Sequence, residues 1–103
     1  MSVVITQGDD SNAFGKEITI NVNSELDLTG FSAVFQLGDF KQRFDDIRAK
    51  KLAIVIPAEE TKKLPTGLQL GALKIFDATG LQVTVKSDIR FYIYPQVIEN
   101  EQA

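Results

Sequence analysis

From Val83 to Ile93 the odd positions read Val83, Val85, Ser87, Ile89, Phe91 and Ile93. The even positions read Thr84, Lys86, Asp88, Arg90 and Tyr92, with Tyr94 following in the same phase. A period of two is the period of a β-strand, in which successive side chains point to opposite faces. A helix alternates spacings of three and four between apolar residues, whereas this run keeps to every second position. The stretch therefore predicts a long, half-buried strand whose odd residues face a core and are interrupted only by Ser87.

The same period recurs through the chain. Val3 to Gln7 predicts a short first strand. Glu17 to Val22 places Ile18, Ile20 and Val22 on one face, and Asn23-Ser24-Glu25 then turns. Phe31, Ala33, Phe35 and Leu37 share a face of the next strand. Gly38-Asp39 is a hairpin turn, since both residues favour tight turns. Phe40 to Asp46 follows with Phe40, Gln42 and Phe44 on one side. Leu52, Ile54 and Ile56 alternate up to Pro57. Ala58 to Leu64 predicts one or two helical turns, with Glu59 and Lys63 paired at the i,i+4 spacing and Pro65 ending the turn. Leu68 to Asp77 is a strand closed by Ala78-Thr79-Gly80. About seven strands with turns between them make an antiparallel sandwich or a small barrel, and the sandwich is the expectation adopted. Phe35, Ile54, Phe91 and Ile93 are expected in one core.

The 103 residues make one domain of ordinary size, placed at 1–95, with the polar residues 96–103 expected as a tail. No cysteine is present, so neither a disulfide nor a thiolate metal site is available. The net charge of −3 offers no basic excess to neutralise phosphates, so nucleic acid is not an expected partner. No run approaches the roughly 20 apolar residues that span a bilayer. The first residues lack the charged start and apolar stretch of a signal peptide, so secretion by that route is not expected.

Few groups that do chemistry are present. Without His or Cys, a nucleophilic serine would need a lysine base. Ser87 follows Lys86, but adjacent strand residues face opposite ways. Asp9-Asp10, Asp45-Asp46 and Glu59-Glu60 are the carboxylate pairs, and glycoside hydrolysis needs two carboxylates facing each other across a cleft. Sequence neighbours on loops read instead as solvated charge. Asp10 to Gly15 resembles the start of a calcium loop, yet Phe14 stands at the third oxygen position and Asn21 at the closing Glu position. A looser cluster of Asp9, Asp10 and Asn12 is the remaining metal candidate, and no metal or cofactor is expected. Scattered glycines form no phosphate loop.

The exposed-reading face of the last strand carries Arg90, Tyr92 and Tyr94. Tyrosine and arginine are enriched where partner contacts are strongest. Tyrosine also favours strands for its own sake, so an ordinary decorated strand face is the competing reading. The three residues are the candidate partner interface.

Several segments carry a resemblance. These are Ile5-Thr6-Gln7-Gly8-Asp9, Leu28 to Gly38, Leu52 to Thr61, Gly71 to Asp77 and Phe91-Tyr92-Ile93. In order they resemble the N-terminal domain of baseplate upper proteins from tailed phages of Gram-positive bacteria. The family opens with a strand ending in Gln-Gly-Asp and has Leu-Thr-Gly before a later strand. The resemblance covers nearly the whole sequence and its motifs are structural. It implies an immunoglobulin-like sandwich that attaches adhesion machinery to a phage tail. Its location would be the virion, or the bacterial cytoplasm before assembly. Family members usually continue into a linker, a helical or fibrous shaft and sometimes a receptor-binding region, whereas this sequence stops at Ala103, as either a free-standing relative or a trimmed domain would, so scaffolding or docking is the role expected of it. No family residue roles transfer. The expected function is non-enzymatic protein–protein contact with tail proteins or with further copies of the chain. The alternative is a small carbohydrate-binding module using Tyr92 and Tyr94, and a carboxylate hydrolase ranks last.

Overall fold

The computed structural model describes residues 2–22 and 25–96. The expected turn at Asn23-Ser24 and the expected tail beyond Gln96 lie outside the described residues. In chain order the elements are β1 (Ser2–Thr6), a 3-10 turn (Ala13–Gly15), β2 (Ile18–Asn21), β3 (Ser32–Leu37), β4 (Phe40–Phe44), β5 (Lys51–Ile54), α1 (Ala58–Thr61), β6 (Gly67–Phe76) and β7 (Gln82–Tyr94). The protein is mostly β. Five strands form one sheet in the order β1-β7-β6-β3-β4, and β2 and β5 form a second, two-stranded sheet. β7 is the long element. It has 13 residues, about 3.3 Å each along the strand.

Alternation explains which residues are inside. Ala33, Phe35 and Leu37 of β3 are buried, as are Ile18, Ile20 and Val22 around β2 and Leu52, Ile54 and Ile56 around β5. Phe31, Phe40 and Phe44 pack half-buried against them. Phe35, Ile54, Phe91 and Ile93 belong to one core, as expected from their phase. The Phe35 and Phe91 rings lie 5.7 Å apart and tilted, a favourable aromatic arrangement. Gly71 sits where these rings come closest. A Cβ there would lie 2.9 Å from Phe35 and 3.0 Å from Phe91, so no larger residue fits without displacing a ring.

Three features depart from the sequence expectation. β1 pairs parallel with β7, with Ile5 opposite Ile93, so the sheet is mixed rather than antiparallel. Val83 and Val85 are exposed, although their odd phase predicts burial. Register shifts between Gly71 and Leu73, and again between Leu73 and Lys74, break the β6–β7 ladder, so Lys86 rather than Ser87 stands opposite Leu73, and Val83 returns to the inner phase opposite Ile75. β1 reaches only Arg90 to Tyr94, so the outer part of β7 is paired on one side alone, with β6, among the described residues. Finally, Lys63 meets Glu60 at 3.6 Å rather than Glu59. The single turn of α1 tightens at its end, where the Lys63 N–H donates to Glu60 O, and that closer winding favours the i,i+3 partner.

A buried polar latch joins the end of β1 to α1. Thr61 is buried; its hydroxyl accepts from the Gly8 N–H at 3.0 Å and donates to Asp9 O at 2.8 Å. Ser11 Oγ accepts from the Ile56 N–H at 2.7 Å, and the Ser11 N–H donates to Ile56 O. Gln7 Nε2 donates to Leu64 O, while its Oε1 accepts from the Gln96 N–H. Gln96, expected to begin the tail, is thereby tied to the body of the domain. Gly8 has φ 87°, a backbone that side chains disfavour. The Gln-Gly-Asp segment thus works as a tether between β1 and the helical turn.

Candidate interaction face

Arg90, Tyr92 and Tyr94 lie on the face of the five-stranded sheet opposite the core, because Ile89, Phe91 and Ile93 alternate with them and are buried. Strand register decides what stands beside them. Val4 of β1 and Leu68 of β6 flank Tyr92 on either side. Ser2 and Leu70 flank Arg90, and Thr6 stands beside Tyr94. Directly opposed residues in a sheet share a face, so these side chains form one surface. The result is a three-stranded apolar patch with a guanidinium in it. Val4 is 58% exposed, Leu68 52%, Leu70 55% and Tyr94 55%, with Tyr92 at 36%. Arg90 makes no ion pair among the described residues.

The sequence singled out three members of this surface and missed three. Val4, Leu68 and Leu70 carry no signal of their own. Each belongs to a short run whose outward phase becomes visible only when the strands are paired. A clustered apolar surface on a sheet face is more informative than single exposed residues.

Several of the other candidate groups are engaged locally. Asp45 pairs with Arg43 at 2.8 Å and Asp46 with Arg48 at 2.8 Å, all of them exposed. Asp10 Oδ1 accepts from the Ala58 N–H at 2.7 Å, at the start of α1. Asp27 and Asp77 each close a turn by accepting from the hydroxyl and N–H of the threonine two residues on. The Thr29 hydroxyl holds the Asp27 carboxyl below its ordinary pKa, and the Thr79 hydroxyl does the same for Asp77. Arg48 lowers Asp46 in the same way. Phe14 is fully exposed at φ 54°, so it points away from the Asp9-Asp10-Asn12 cluster's loop into solvent. Lys86 stands opposite Leu73, while Ser87 lines the opposite face of the sheet beside Thr84, so the two do not form a dyad. No helix among the described residues is long and apolar enough to cross a membrane.

No protein-family model matches this chain, and no curated protein matches it.

Proposed function

We propose that this protein is a non-enzymatic docking module, an immunoglobulin-like β-sandwich that acts through protein–protein contacts as a tail or baseplate component of a phage or prophage. The observation that carries the reading is the apolar face of β1, β7 and β6. Two rigid tyrosines, three aliphatic residues and one arginine there make the kind of surface that anchors partner contacts. Two sheets over one core support the sandwich, although their division into five and two strands differs from the more even split of antibody-type domains. Asp10, Asp27 and Asp77 are engaged in local turns and caps, and Asp45, Asp46 and Glu60 in exposed ion pairs, which favours binding over hydrolysis. The virion, reached by assembly in the bacterial cytoplasm, is the location that goes with this role.

Tail particles from a host that makes the protein test the proposal. A tagged wild-type chain should co-sediment with the particles, and Tyr92→Ser with Tyr94→Ser should release it. Absence of the wild-type chain from the particles would reject the tail role; unchanged retention of the variant would reject the face. The carbohydrate alternative rests on the same two exposed rings, and a glycan array separates it: saccharide binding lost in the double variant would favour a sugar ligand.

A further inference from the structure

The two outer strands of the five-stranded sheet differ in how their free edges are protected. A sheet edge presents unpaired N–H and C=O groups, and proteins usually guard it with charge, proline, bulges or cover. β4 is guarded. Its exposed Lys41 and Arg43 flank Gln42, whose amide donates to Ala53 O at 3.1 Å and accepts from the Val55 N–H at 3.0 Å, joining β4 to the smaller sheet. The part of β7 beyond β1 is guarded by its bulged register with β6 and by exposed Asp88. β1 has no charge, proline or bulge, and of its backbone, among the described residues, only Thr6 O is tied beside the sheet, where it accepts from the Asp9 N–H at 3.1 Å. It reads Ser2-Val3-Val4-Ile5-Thr6, and it ends the sheet order.

Beside that bare edge runs a groove of about 450 Å³. Its floor includes Val3, Ile5 and Ile18, and its rim carries Asp9, Asp10 and Glu17 against Lys16, the one cationic side chain among the described lining residues. We propose that this groove accepts an extended, basic peptide segment of a partner protein, which pairs with β1 as an added strand. Three observations set the chemistry of the occupant. The unpaired backbone calls for a strand, because main-chain hydrogen bonds supply affinity in this mode of recognition. The apolar floor under an acidic rim suits Lys or Arg at alternate positions, whose stems cover the floor while their heads reach the carboxylates. The other alternate positions extend the outer face beyond Val4 and suit Val or Ile. A second copy of this chain suits the site less well. Its own β1 carries no basic residue, and two acidic rims would be brought together.

The inference is independent of the tail assignment. The probe is an end-capped peptide of about seven residues alternating Val and Arg, a length that covers β1 and little more. Calorimetry on the wild-type chain should show binding that weakens as salt rises, since the rim charges are exposed. A peptide with Glu in place of Arg should not bind. N-methylation of alternate peptide amides, in either phase, should identify one phase that weakens binding at least about tenfold, roughly 1.4 kcal/mol. Asp9→Asn with Glu17→Gln should also weaken binding by about tenfold, and Val4→Lys should do so with little change in melting temperature. Tyr92→Ser with Tyr94→Ser should leave peptide binding within about twofold, well under 1 kcal/mol, which separates this site from the apolar face. Equal binding of the Arg and Glu peptides, indifference to N-methylation in both phases, or no binding at low salt would overturn the proposal. So would a dimer in sedimentation velocity that Val4→Lys dissolves and the peptide does not.

Discussion

The strands β1, β7 and β6 present two faces made from alternate residues of the same segments, and the faces have opposite fates. Inward, Ile5, Ile89, Phe91 and Ile93 are buried under the smaller sheet. Outward, Val4, Leu68, Leu70, Tyr92 and Tyr94 are nearly as apolar yet lie in solvent. Hydrophobicity alone therefore does not decide which face becomes the core. The decision is made by what lies above each face: β2 and β5 supply Ile18, Ile20, Leu52 and Ile54 to one side, whereas no described element covers the other. An uncovered face with that composition is the basis for reading the domain as a docking module.

The largest test of the contrast is Phe91→Ala. Phe91 is wholly buried against Phe35, so truncation should cost about 3–5 kcal/mol in denaturant unfolding. A loss under about 1 kcal/mol would mean that the inner face is not a packed core. Thr61→Val should come next. It removes the hydroxyl that serves Gly8 N–H and Asp9 O, and so loosens the tether holding β1 beside β7. Losing the hydroxyl's buried hydrogen bonds should cost about 1–3 kcal/mol, read as a lower unfolding midpoint. An unchanged midpoint would show that the tether does not help place β1.

A smaller effect concerns the turn that sets the β6–β7 register, on which the membership of both faces depends. Asp77 Oδ1 accepts from the Thr79 hydroxyl, the Thr79 N–H and the Leu81 N–H, and its folded pKa is lowered. A lowered folded pKa means that the unfolded chain takes up the proton first. The contribution is therefore complete above the ordinary aspartate value near 4 and is lost as pH falls through the folded value. Asp27 and Asp46 act in the same direction. Thermal melts should be level from about pH 5 to 7 and decline below about pH 4, with a shallower decline in Asp77→Asn. An identical acid limb in that variant would remove Asp77 from the account.

Much of this arrangement is legible in the sequence, and the failures share a cause. Ile18, Ile20, Phe35 and Ile54 read correctly because β2, β3 and β5 are regular, and period two then maps directly onto inside and outside. Val85 reads wrongly because the β6–β7 ladder shifts around it, and Val83, which keeps the inner phase opposite Ile75, is exposed where β7 has a neighbour on one side only. Leu28, Ile47 and Leu64 are buried from loops, where no period marks them. Val4, Leu68 and Leu70 joined the outer face only through register. That information resides in pairs of strands, not in any one of them. The parallel pairing of β1 with β7 was hidden for the same reason.

The claim that the outer face is for contact rather than for stability is tested most directly by Tyr92→Ser with Tyr94→Ser, melted as the free domain and assayed for retention on tail particles. The account predicts a stability change within about 0.5 kcal/mol, as for ordinary surface positions, together with loss of retention. A loss of several kcal/mol would contradict it by showing that these tyrosines support the fold. Full retention at unchanged stability would contradict it by showing that this face docks nothing.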